Sequence, residues 1–261
     1  MLTTLPPVPR ARRAALAVAL CAGLTAVLTA CGGTEPPPPD PDAGTNGVGK
    51  LTAAGIEAKA RNAVRGAEAV RLAGNLVSKG GTYRLNMRLK GAGAAGSVVN
   101  GDTTFELLRV GDVLYLKADA EFWTHAEEAS NAPTEADRQA AKKLGGKFVK
   151  VPEDDPSYKQ LRGFTEMNTL LGGLLVLHGE LHKGERDSIG GIRTIKVAGG
   201  PGGEGGTLDV SLEGTPYPLK FERGGDAGVV VLSDWNEDFA LQEPSKEQSV
   251  DYGRQLPRAG G

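Results

Sequence analysis

Few side chains in this 261-residue chain stand where they could do covalent or metal chemistry. His178 and His182 have the i, i+4 spacing that on one helix would offer two imidazoles to a metal ion. Gly179 falls between them and no third ligand lies nearby, so an exposed pair without a metal is expected. His125 stands alone near Glu127 and Glu128, and without a G-x-S-x-G elbow no set of acid, base and nucleophile assembles. Gly44-Thr45-Asn46-Gly47-Val48-Gly49-Lys50 nearly spells the phosphate-cradling G-x-x-x-x-G-K loop. Leu51 holds the place of the Mg²⁺-binding hydroxyl, however, and no strand precedes it, so a flexible linker is expected. The glycine-rich run 199–206 joins two alternating segments and reads as a hairpin loop. These patterns predict a protein that is not an enzyme and uses no metal or cofactor.

One residue does carry a modification signal. Residues 1–30 contain no Asp or Glu, carry Arg10, Arg12 and Arg13, and continue as a 17-residue apolar run from Ala14 to Ala30. That is a secretory signal pattern, short for a bilayer span and followed at once by polar chain. Its end, Leu28-Thr29-Ala30-Cys31, resembles the bacterial lipobox, which makes Cys31 the expected site of lipid attachment. Cleavage elsewhere, with Cys31 a bystander, is the alternative. Two acyl chains, each buried CH₂ contributing about 0.8 kcal/mol, would anchor the chain to the outer face of the cell membrane. Cys21 would be lost with the signal, leaving no partner for an internal disulfide.

Composition narrows the rest. With 30 basic against 32 acidic side chains and 5% aromatics, nucleic acid is excluded as a general partner. Residues 31–49 are rich in Pro and Gly and read as a lipidated cysteine followed by an extended tether. The folded domain is expected over 50–240, and 241–261 as a partly disordered tail.

Within the domain, Thr52 caps a predicted helix whose face carries Ala53, Ile56, Ala60, Ala63, Val64 and Ala67. Period-two alternation then predicts strands at 72–79, 82–90, 97–100, 103–109, 112–118, 147–151, 180–186, 192–198, 206–213, 217–223 and 227–233. Tyr83, Leu85, Met87 and Leu89 share a dry face, as do Leu208, Val210 and Leu212, while Arg84, Arg88, Asp209, Glu213 and Lys220 are expected on the wet one. Two further helices are expected at 134–144 and 165–177. In the second, Met167, Leu170, Leu171, Leu174 and Leu175 repeat at helical spacing despite Gly172 and Gly173. An antiparallel sheet with a few helices against one face is an α+β fold.

The segments GDVLYLKADAEFW (111–123), KLGGKFVKVP (143–152), GGTLDVSLEGTPYPLKFERGG (205–225) and LSDW (232–235) follow the lipobox, tether and first helix in order. Together they resemble the actinobacterial LppX/LprA/LprF/LprG-type lipoproteins, whose fold is similar to the LolA and LolB carriers. The resemblance implies a strongly curved antiparallel sheet, a half-barrel, with helices packed on its concave face around a hydrophobic cavity. It also implies binding of an acylated lipid or glycolipid, carriage within the cell envelope, and an envelope transporter as a candidate partner. The dry faces supply the cavity candidates: Leu85, Met87, Leu89, Phe105, Leu107, Leu114, Leu116, Leu208, Val210 and Leu212 from strands, with Met167, Leu170, Leu171, Leu174 and Leu175 from the helix. Trp123 is a candidate for the rim, with its indole N–H on a polar partner. Periodicity cannot tell a cavity from a packed core, so an anchored interaction or sensor domain with a solid interior is the alternative function.

Overall fold

The computed structural model describes residues 40–78, 81–125 and 134–251. The expected signal peptide, Cys31, the first part of the expected tether, Glu127 and Glu128 lie outside the described residues.

Thr52 does cap the first helix, α1 (Ala53–Arg65), its Oγ1 accepting from the Gly55 amide at 3.2 Å. Ile56, Ala60 and Val64 lie along one side of α1 and are buried, Ile56 completely. Burial of a side chain such as Ile or Val stabilises by roughly 1.5–3 kcal/mol, so α1 is held by its inner face. Five strands follow as an antiparallel meander: β1 (Ala69–Ser78), β2 (Gly81–Lys90), β3 (Gly93–Asn100), β4 (Thr103–Val110) and β5 (Val113–Ala118). Next come α2 (Ala120–His125), α3 (Glu135–Leu144), β6 (Phe148–Lys150), α4 (Tyr158–Gly163) and α5 (Met167–Leu174). A second meander comprises β7 (Leu181–Ile189), β8 (Ile192–Gly199), β9 (Thr207–Ser211), β10 (Pro218–Glu222) and β11 (Gly228–Ser233), and the last element is β12 (Ser249–Asp251).

Pairing of β11 with β1 joins the meanders into one curved, unclosed α+β sheet in the order β12-β6-β5-β4-β3-β2-β1-β11-β10-β9-β8-β7. Register explains why one face is dry. Leu85 on β2 faces Val98, Met87 faces Leu72, and Leu89 faces Val70 and Ala94. On the next strands Phe105 faces Ala118 and Leu107 faces Leu116. This inner face shares one apolar cluster with α1, α5, Trp123 of α2, and Ala141 and Leu144 of α3. At Gly74 (φ +155°) β1 runs so close to β11 that a Cβ would stand 2.1 Å from the Val229 carbonyl oxygen.

Several expectations need correction. The tether expected to end at 49 is already packed from Asp40 onward: Asn46 Nδ2 donates to the carbonyls of Ser211 (3.0 Å) and Gly214 (3.1 Å), and Val48 and Gly49 are buried. Hydrogen bonds from a side chain, invisible in composition, convert that linker into part of the domain. The sheet likewise reaches past 240, because Ser249–Asp251 pairs with β6, and in parallel rather than antiparallel sense. The helix expected over 165–177 is shorter at both ends, and α2 and α4 were not anticipated. Asp209, expected wet, is 1% exposed. It faces Lys196 and Lys220 directly across β8 and β10, and their half-buried side chains flank it.

Burial pushes the Asp209 carboxyl above its ordinary value, against the opposing pull of Lys196 and Lys220, and its Oδ1 has no hydrogen-bond partner among the described residues. A group whose pKa is raised by folding adds stability below its unfolded value, near 3.9, and loses it as pH rises through the folded one. The variant Asp209→Asn, which does not titrate, is therefore expected to unfold at higher urea concentration than the parent at pH 7. That advantage should shrink toward pH 4, and an advantage independent of pH would sink the assignment.

Candidate functional site

The inner face is not filled everywhere. Between α1 and α5, over β9 and β10, lies an open cleft of about 570 Å³. Ala60 and Val64 line it from α1, Leu171, Gly172 and Leu175 from the α5 end, and Leu208 and Pro218 from the sheet. Glu57, Arg61, Arg65 and Asn168 supply its polar lining. Arg61 Nε donates to Glu57 Oε1 at 2.8 Å, and Arg65 donates to Asn62, so the cationic side chains along this side of α1 are held by i, i+4 and i, i+3 partners. An apolar floor with a few polar groups is what an amphiphile requires of a site.

The start of α5 is pinned from below. On β4, Arg109 follows Phe105 and Leu107 in the inward phase and is 6% exposed. Its Nε donates to Thr165 Oγ1 (3.1 Å), one terminal nitrogen to the Thr165 carbonyl (3.0 Å) and the other to the Gly111 carbonyl (2.7 Å). Burial lowers its pKa, yet a guanidinium stays charged far above neutrality. Beside it Arg162 Nε meets Glu166 Oε1 at 2.6 Å, which holds the Glu166 carboxyl below its ordinary range. The opposite end of α5 is loose by comparison: Gly172 and Gly173 are exposed, and a Cβ on either would meet nothing within 4 Å. Each weakens helix propensity by about 1 kcal/mol relative to Ala.

Of the expected cavity residues, Leu171, Leu175 and Leu208 line the cleft. Leu85, Met87, Leu89, Leu107, Leu114, Leu116, Val210 and Leu212 are at most 2% exposed, and together with Phe105, Met167 and Leu174 they lie in the contiguous core. Leu170 packs partly buried against it. Trp123 is 2% exposed within the core, which leaves no solvent-facing rim position for it, and its indole N–H lacks a partner among the described residues. Ring contact with Phe122 (centroids 5.0 Å apart, edge-on) packs it there.

The chemistry singled out in sequence does not converge. His178 lies in the α5–β7 connection and His182 on β7, both exposed, so they share no helical face. Among the described residues no group of three or more His, Cys, Asp or Glu side chains is placed to hold a metal. No described helix is long and apolar enough to cross a membrane. The near-phosphate loop packs through Asn46, and the 199–206 run closes on the α5–β7 connection, where the His178 amide donates to the Gly205 carbonyl at 3.0 Å. Gly205 must be glycine: a Cβ there would stand 1.8 Å from the His178 carbonyl oxygen. Sequence reading missed the α1 side of the cleft, because Ala60 and Val64 looked like packing. The signal available was Arg61 and Arg65, each one residue beyond an inward position.

No protein-family model matches the chain, and no curated protein does. Among solved structures, LprF from Mycobacterium bovis superposes with a TM-score of 0.50 at 17% identity, covering 74% of this chain and 97% of that one. The chain has the LprF fold. Lipoprotein LppX from Mycobacterium tuberculosis matches with a TM-score of 0.43 at 14% identity, covering 73% and 98%. At such identities the likeness to LprF concerns the fold alone, and the LprF fold here means the unclosed sheet with helices packed into its inner face.

Proposed function

We propose that this protein is an envelope lipoprotein, anchored through lipidated Cys31 to the outer face of the cell membrane, that holds the acyl chains of a lipid or glycolipid in the cleft between α1 and α5. The cleft itself carries this reading: about 570 Å³ with an apolar floor, left open by a sheet that does not close. Apolar area removed from water contributes roughly 25 cal/mol per Å², which drives the chains in, while Arg61, Arg65 and Asn168 meet the headgroup. No catalytic step and no cofactor are needed. Carriage within the envelope, with a transporter as partner, requires α5 to yield, and its Gly172-Gly173 end is where it resists least.

Native mass spectrometry of the full chain, purified from a lipid-containing host, tests the reading. Adducts of lipid mass are expected, and Leu171→Trp, which fills the cleft, should reduce them at least tenfold (about 1.4 kcal/mol of affinity). Unchanged lipid loading in a folded Leu171→Trp protein would overturn the site. A second reading, an anchored interaction domain with a solid interior, draws on the eight cavity candidates outside the cleft that are at or below 2% exposure. Lipid-free protein that also refuses added phospholipid and glycolipid would establish that second reading in place of the first.

A further inference from the structure

The outer face of β9–β11 carries a second groove of about 650 Å³, on the side of the sheet away from the cleft. Three features converge in it. Of the five large apolar side chains most exposed among the described residues, Ile192 (38%) and Val231 (41%) both line it. Tyr217 and Trp235 also line it, as a parallel stack with ring centroids 4.5 Å apart and planes 5° apart. Carboxylates of Glu213, Asp234 and Glu237 complete it, with no Lys or Arg in the lining.

The aromatic stack is held in place independently of any ligand. Trp235 Nε1 donates to the Pro218 carbonyl (3.1 Å), and Asn236 Nδ2 donates to Tyr217 Oη (2.7 Å). On either side of Trp235, Asp234 (φ +52°) and Asn236 (φ +62°) take the left-handed conformation that Asp and Asn tolerate best. Asn236 is fixed further, its Oδ1 accepting from the Glu68 amide (2.7 Å) and its own amide donating to the Ala69 carbonyl (2.9 Å). Such a platform loses little freedom on binding.

Electrostatics then selects the ligand. Arg193 Nε donates to Glu213 at 3.0 Å and Arg71 stands 4.0 Å from Asp234, so two carboxylates are compensated by cations outside the lining. Acceptor oxygens remain, and the pairing weakens the field that would attract a cation. An anion would meet carboxylates, and a bare hydrocarbon would strip them of water without replacing their hydrogen bonds. A molecule with an apolar C–H face for the rings and Val231, and hydroxyl donors for the carboxylates, satisfies both halves. We propose that this groove binds a neutral carbohydrate. The site is separate from the cleft and does not depend on the lipid reading.

The chain has two tryptophans, one in the core and one in the groove, which makes the test internally controlled. With ¹⁵N-labelled full chain, mannotriose, cellotriose and chitotriose are added at millimolar concentration and both indole N–H signals followed, Trp235→Phe assigning them. At least one sugar is expected to move the Trp235 signal saturably and leave Trp123 still. Thr215→Arg and Val231→Glu, both at exposed lining positions, should each weaken that response at least tenfold with an unchanged urea midpoint. The proposal is overturned if none of the three moves Trp235, if both indoles move together, or if both lining variants bind as the parent does.

Discussion

Arg109→Met is expected to lower stability by about 2–3 kcal/mol and to speed exchange of a bound fluorescent phospholipid. Removing the guanidinium leaves the carbonyl and hydroxyl of fully buried Thr165 without the donors they now have, and a buried acceptor left unpaired costs roughly 1–3 kcal/mol, whereas water can replace the donor at exposed Gly111. Methionine regains part of this, since the fold no longer strips water from a cation. The balance still falls on the destabilising side because the buried Thr165 oxygens stay behind. All three Arg109 hydrogen bonds end on neutral oxygens, so the loss of urea midpoint should be the same at pH 5 and pH 8. The neighbouring Arg162–Glu166 pair behaves differently. The Glu166 pKa is depressed, so its contribution is complete above the unfolded carboxyl value, near 4.3, and disappears as pH falls through the folded one. Leu114→Ala is the control for exchange: it faces Arg109 from β5 and weakens the core without removing a hydrogen bond to Thr165. Exchange accelerated equally by both variants at matched stability would mean that Arg109 merely stabilises the core and does not position α5.

Gly74→Val is expected to cost more than about 4 kcal/mol, at the extreme of single-residue effects. The obstacle is steric: the first added carbon would overlap the Val229 carbonyl at 2.1 Å, and that carbonyl belongs to the seam where the two meanders join. Neither backbone can retreat without breaking ladder hydrogen bonds on its far side. Gly101→Ala separates this from conformational strain alone, since Gly101 has φ +58° but open space around its missing Cβ. There the cost should be about 1 kcal/mol. Urea unfolding gives both values, and hydrogen exchange should show amide protection lost along β1 and β11 in Gly74→Val before it is lost along β4. Comparable costs for the two substitutions would remove the steric explanation.

Most of the sheet was legible in sequence because its strands are dry on one side only, so Leu85, Met87 and Leu89 alternate visibly with Arg84, Asn86 and Arg88. β12 was not, being three residues long and dependent on a parallel partner a hundred residues earlier. α2 carried a readable signal in Asp119, whose carboxylate accepts from the Phe122 amide at 2.7 Å, but the strand just before it obscured the change of period. The cleft was only half legible. Leu171 and Leu175 stood out on an apolar helix, whereas Ala60 and Val64 bound a void only because α1 and α5 stop short of touching there, a matter of tertiary distance that no local pattern encodes. Arg109 sat in the inward phase of β4 in plain view. Nothing in sequence pointed to Thr165 as its acceptor.

The seating of residues 40–50 on the sheet also sets how the molecule answers a mechanical pull. A tug applied at Asp40 passes through Asp42 to Arg186 on β7 and through Asn46 to the end of β9, and Lys183 grips the Gly49 carbonyl before the chain turns into α1. Load is therefore taken up by two strands, β7 and β9, in parallel, upstream of the helix that forms one wall of the cleft. A pull arriving from the N-terminal side would strain that clamp first, leaving the shape of the cleft insulated from it.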